Sequence, residues 1–130
     1  YRFVMLNTGV DIIDAAIDAY LGRPAALAEA AGRDYLAANH VYAEGGCFGE
    51  AKGHDRLLDE GIVAEFYIHK ARGAPVGASM SSADRVASFM VRAGSGEELL
   101  RRTREAMRRL DVVDLDGRSI MRRDVYLQAL

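Results

Sequence analysis

The segment from Val86 to Leu110 constrains the fold more than any other part of the chain, because the spacing of its apolar residues changes once, from a strand period to a helix period. Val86, Ser88, Met90 and Arg92 alternate with Ala87, Phe89 and Val91, which predicts a strand over Val86 to Ala93. Ser95 and Glu98 then form a capping-box pattern. Leu99, Leu100, Thr103, Ala106, Met107 and Leu110 fall on one helical stripe. Glu97–Arg101, Glu98–Arg102 and Glu105–Arg109 are acid-to-base pairs four residues apart, the orientation that favours a helix.

The remaining elements follow from the same rules. Thr8 is a suitable N-cap, and Asp11 places negative charge in the first turn of a helix. Ile12, Ile13, Ala16, Ile17, Tyr20 and Leu21 recur at helical spacing, and Gly22 with Pro24 ends the run. Ala25 to Gly32 reads either as further helical turns or as a linker. Tyr35 to Tyr42 and the Gly-rich Gly45 to Ala51 are strand candidates, and Arg56-Leu57-Leu58 suits a short helical turn. Ile62 to His69 is rich in β-branched and aromatic residues and predicts a strand. Ala71 to Pro75 is a turn and Gly77 to Asp84 a loop. Asp116-Gly117 between Val112-Val113 and Ser119-Ile120-Met121 predicts a hairpin. The order of helix, several strands, helix and hairpin gives an α+β class, with an antiparallel sheet flanked by helices.

Composition limits the function classes. The 130 residues suit one modest core, and a net charge of −2 provides no global attraction for nucleic acid or an anionic membrane. No apolar stretch approaches the roughly 20 residues that span a bilayer. The single cysteine, Cys47, cannot form an internal disulfide, which fits a reducing, cytoplasmic setting. The chain also opens without Met inside the apolar run Tyr1 to Ile13, which suggests a cut within a larger fold.

Four groups of residues invite a chemical reading. His40, His54 and His69 lie 14 and 15 residues apart, without the short spacing of a helical or finger-type zinc site. Gly45-Gly46-Cys47-Phe48-Gly49 has the glycines of a phosphate loop but lacks the Lys-Ser/Thr, so a turn or bulge is favoured. Cys47 has no obvious cation or helix start beside it to activate the thiol. Arg101, Arg102, Arg104, Arg108 and Arg109 are interleaved with glutamates and lack alternating aromatics, which fits a solvated helix face better than an RNA surface. Ser79 to Arg85 reads as a loop whose Ser and Asp side chains satisfy backbone groups, or as the lining of a cleft.

Three motifs in order carry a family resemblance. Thr8-Gly9-Val10-Asp11 opens an amphipathic helix. Glu65-Phe66 is followed by Lys70 and Gly73 in a strand and turn. Asp84-Arg85-Val86 leads into the next strand. Together they resemble the C-terminal part of the ATP-grasp carboxylate–amine ligases, in the L-amino acid ligase and biotin-carboxylase-like group. In biotin carboxylases the strand matching Ile62 to Ile68 carries a catalytic Arg. Val63 stands at that place here, which favours ligase over carboxylase.

The resemblance implies that residues 1–24 end an ATP-grasp domain and residues 25–130 form a C-terminal α+β subdomain. Such enzymes use ATP and magnesium to phosphorylate a carboxylate, and an amine then attacks the acyl phosphate. The metal-binding Glu and the Asn-x-Arg motif of the family precede the Thr-Gly-x-Asp helix, and residues 1–7 contain neither. The expectation is therefore a chain that closes the substrate cleft and packs on the ATP-grasp core, without catalytic residues or metal ligands of its own. ATP and magnesium would belong to the full-length parent. Arg2 and Arg85 are the substrate-binding candidates. A bidentate Arg suits a carboxylate, while the plainer role for Arg2 is to cap a strand end. The expected partners are the upstream ATP-grasp domain of the same protein and a small carboxylate or amino acid. Nucleic acid and membrane are not expected, and a homodimer stays open. The competing reading is a free-standing α+β binding or oligomerisation module without catalytic activity.

Overall fold

A computed structural model describes residues 2–25, 27, 34–77, 79 and 81–127. Two helices come first, α1 (Arg2–Thr8) and α2 (Ile12–Tyr20). They are followed by β1 (Tyr35–Tyr42), β2 (Phe48–Lys52), α3 (His54–Asp59) and β3 (Glu65–Ile68). A single 3₁₀ turn, Ser82–Asp84, leads into β4 (Arg85–Ala93), and α4 (Gly96–Arg109), β5 (Asp111–Asp114) and α5 (Asp124–Leu127) complete the chain. The architecture is α+β. A three-stranded antiparallel sheet has the order β1-β4-β3, and β2 and β5 form a second antiparallel pair.

The long central strand β4 organises both layers. Ala87, Phe89 and Val91 project from one side and are fully buried. They meet Leu57 of α3, Ala106, Met107 and Leu110 at the end of α4, and Val112 of β5. α4 forms where the apolar stripe predicts, with the Ser95 side chain accepting the Glu98 backbone N–H. The reciprocal half of the capping box is missing, because the Glu98 carboxylate turns to Arg101 and Arg102 instead. Leu100 departs from the expected stripe and is exposed. At the other end, the Arg123 guanidinium donates to the carbonyls of Met107 and Leu110, both at 2.8 Å, and so satisfies carbonyls that the helix leaves open.

Two glycines are required by close approach. A Cβ on Gly49 would lie 2.2 Å from the Asp114 carbonyl oxygen across the β2–β5 pair. Gly53 has φ +85° and would place a Cβ 2.4 Å from the Arg109 carbonyl oxygen.

Several expectations are corrected. Thr8 does not cap α2. It ends α1, a helix the sequence reading missed, and its hydroxyl donates back to the Val4 carbonyl at 2.8 Å. Asp11 is the N-cap and accepts from the N–H groups of Ile13 and Asp14. The strand at Ile62 starts at Glu65, because Ile62 and Val63 still donate to the Leu57 carbonyl and close α3. The segment at Gly45 begins with a turn, Gly45 and Gly46 both having positive φ, and pairs as a strand from Phe48. The Asp116-Gly117 turn is present, held by the Asp114 carboxylate, but β5 pairs in a ladder with β2, and Ser119 and Met121 make isolated bridges. The Ala25 to Gly32 segment lies mostly outside the described residues.

Candidate functional site

The face of the three-stranded sheet opposite the core carries the polar residues. Register places His40 of β1 and Tyr67 of β3 directly across Ser88 of β4, so three strands contribute one row to one face. Glu65 lies two residues before Tyr67 on that face, and His69 lies two residues after it, just past the strand. The His69 backbone N–H donates to the Val86 carbonyl at 2.9 Å. Its Nε2 lies 2.8 Å from the Ser88 hydroxyl.

Arg85 reaches the same face through an irregularity in the sheet. Val41 pairs with Ala87 but Tyr42 pairs with Arg85, which makes Val86 an extra residue on β4. A bulge of this kind breaks the alternation and re-aims a side chain. The Arg85 guanidinium nitrogen Nη1 sits 3.3 Å and 3.5 Å from the two ring nitrogens of His40. A donor shared so evenly aligns with neither lone pair, so the guanidinium is packed against the imidazole. Nε of Arg85 donates to the Ser82 carbonyl at 3.1 Å. That carbonyl is fixed by a reciprocal capping box between Ser81 and Asp84. Asp84 also accepts from the Ser79 hydroxyl, and these hydrogen bonds hold its carboxyl below the ordinary range. The loop reading of Ser79 to Arg85 therefore holds in detail, and the loop's geometry sets the position of Arg85.

The electrostatics of the face differ from one group to the next. Burial lowers the pKa of His40, and the charge of Arg85 and the neighbouring His69 lower it further. Arg85 is half-buried and, among the described residues, makes no ion pair; its partners are a carbonyl and an imidazole. Arg2 is committed elsewhere. It forms an ion pair with Glu65 from α1, and Tyr67 donates to the same carboxylate. Arg2 thus neither caps a strand nor points a free guanidinium outward, and it depresses the Glu65 carboxyl.

The other candidates fall away from this face. His54 lies on the core side, stacked on Phe66 with ring centroids 4.6 Å apart. Val63 is buried in the core. Arg102 and Arg109 are bound to Glu98, Glu105 and Glu60, as a solvated and internally paired helix face requires. Cys47 bridges to Pro75. Among the described residues no group of three or more His, Cys, Asp or Glu could hold a metal ion. The Gly45-Gly46 turn leads into a strand and not into a helix start, where backbone N–H groups would cradle a phosphate. No helix among the described residues is long and apolar enough to cross a membrane. The sequence reading missed the grouping of His40, Ser88 and His69. The alternation rule could have put His40 and Ser88 each on a strand face, but not in register with each other.

A family model described as L-amino acid ligase C-terminal domain 2 matches residues 39–114, from the middle of β1 to the end of β5. No curated protein and no solved structure matches the chain.

Proposed function

Because the chain belongs to the L-amino acid ligase C-terminal domain 2 family, we infer that it serves a ligase joining a carboxylate to an amine, with its polar sheet face turned toward the substrates. The observation that carries this reading is Arg85. A half-buried guanidinium that is positioned by a capped turn and, among the described residues, matched only by neutral partners is electrostatically incomplete. A carboxylate completes it, through paired charge-assisted hydrogen bonds. Arg85 accordingly holds the carboxylate of the amino-acid substrate, and the domain closes one side of the cleft. Arg2 has the tethering role, joining α1 to β3 through Glu65.

In this reading residues 1–24 belong to the ATP-grasp domain of the same protein, which supplies the ATP and magnesium sites, and residues 25–130 form the closing subdomain. The exposed apolar side of α2, with Ile12, Ile13, Ile17 and Leu21, is the surface that packs on the rest of that domain. The setting is cytoplasmic, where ATP and amino acids are available.

The test is amino-acid-dependent ATP hydrolysis by the full-length protein, set beside calorimetry of the chain alone with magnesium-ATP. The expected result is turnover in the former and no saturable binding in the latter. Arg85→Gln should raise KM for the carboxylate substrate about 10- to 100-fold, in line with the loss of a charge-assisted pair. Saturable ATP binding by the chain alone, or an unchanged KM in Arg85→Gln, would count against this assignment. A chain that is only a self-associating module would show neither turnover nor dependence on Arg85.

A further inference from the structure

We propose that His69, held in place by Ser88, accepts the proton that the incoming amine must lose before it can form the new bond. This rests on the ligase reading above and goes further, because it gives the domain a group that takes part in the reaction.

An amino-acid amine arrives as an ammonium ion, and its lone pair is free only after one proton leaves. On the proposed route that proton passes to the His69 imidazole. The neutral amine then attacks the acyl carbon, a C–N bond forms, and the C–O bond to phosphate breaks. The phosphate departs with the bonding pair, and the second nitrogen proton leaves with it. Ser88 suits both states of such a base. In the tautomer that acts as a base, Nε2–H donates to the Ser88 hydroxyl and Nδ1 keeps the lone pair that takes the proton, so the 2.8 Å contact is the same before and after the transfer. The backbone of His69 is fixed by its hydrogen bond to Val86, and the residue is exposed on the face that carries Arg85.

The other titratable groups around this face are poorly suited. From α1, Arg2 is a cation bound to Glu65. On β3, Glu65 accepts from both Arg2 and Tyr67 and is held in its weakly basic, ionised form. Tyr67 has its proton committed to Glu65, and its phenol is pushed upward. On β1, His40 is half-buried beneath the Arg85 cation, which opposes its taking up a proton. Ahead of β4, Asp84 is occupied by Ser79 and Ser81, and Lys70 adds a positive charge near it. His69 has a hydroxyl partner that tolerates either protonation state, and it is open to an arriving substrate.

Hydroxylamine separates this role from a structural one. It is largely uncharged at neutral pH and traps an acyl phosphate without a base. The full-length protein is assayed with magnesium-ATP and a pool of the common amino acids, with either amino acids or hydroxylamine as the nucleophile. His69→Gln should lower kcat/KM for the amino-acid amine about 100-fold, the usual scale for a general base. It should leave hydroxamate formation within about twofold of the parent. Raising the pH should restore amide formation in the variant, as more of the amine becomes uncharged. Equal loss with both nucleophiles, or no loss with either, overturns the role of His69 while the ligase reading stands. Failure of the unaltered protein to form any hydroxamate overturns the ligase reading, and this proposal with it.

Discussion

The two ends of this chain solve the folding problem differently. From β1 to β5 the apolar residues are covered: Phe89, Leu57, Leu110 and Val112 are all buried by 99% or more. In α1 and α2 no residue is buried, and Tyr20 is 91% exposed, although α2 carries an apolar stripe of its own. The family match covers the first region from the middle of β1 onward and leaves out the second. An apolar stripe therefore specifies a helix, while the partner that covers it is specified separately. α4 finds its partner in β4, the strand from which only two residues separate it in sequence. Among the described residues α1 reaches β1 and is tied to β3 by the Arg2–Glu65 ion pair, but the Ile12 side of α2 meets nothing comparable.

The sharpest way to break this comparison is to truncate one apolar residue in each region. Phe89→Ala should destabilise the chain by about 3–5 kcal/mol, read as a fall in the denaturant midpoint with little change in slope. Ile17→Ala, in the middle of α2, should change stability by no more than about 0.5 kcal/mol. A large cost for Ile17→Ala in the isolated chain would mean that α2 is covered in solution, and the oligomeric state would then identify a second copy as its partner.

The tether can be tested next. Glu65→Gln removes the charge that holds Arg2 and leaves the strand's backbone pairing intact. Amide exchange in α1 should become roughly tenfold faster, since local opening there no longer breaks an ion pair, while amides of β4 keep their protection. Parallel loss of protection in β4 would show that α1 is part of the main cooperative unit and that the two regions are not separable.

Much of the packed region was legible in the sequence. β1, β4 and α4 stand at or within one residue of where period and capping place them, because each is long and strongly patterned. Of the three motifs behind the L-amino acid ligase resemblance, Glu65 to Gly73 and Asp84-Arg85-Val86 lie inside the matched segment, and Thr8-Gly9-Val10-Asp11 lies outside it. What failed was short or non-local. α1 was invisible because its seven residues carry no cap and merge with the apolar run before α2. The start of β3 was misplaced because the backbone of Ile62 and Val63 serves α3, a fact about hydrogen bonding that residue type does not encode. On the polar face, the pairing of Arg2 depends on Glu65 lying opposite α1, and the His40–Ser88–Tyr67 row depends on strand register. Neither can be read from one strand at a time.

The smallest effect tests whether charge, rather than burial, separates the two regions. On the outer side of α4, Glu98 is bound by Arg101 and then Arg102, and its carboxyl is lowered from 4.5 to about 2. Its folded-state value is depressed, so its contribution is fully present above pH 4.5 and is lost as the pH falls from there toward about 2. Glu98→Gln should therefore lower Tm near neutral pH by a few degrees at most, because exposed pairs are screened by water and salt. The difference from the parent should close across that acid window and shrink at high salt. A gap that stays constant down to about pH 2 would assign the effect to side-chain packing instead. A small, pH-dependent gap beside the large cost of Phe89→Ala would place the stability of the matched region in its buried core, and leave the arginine-rich surface of α4 as a solvated, internally paired face.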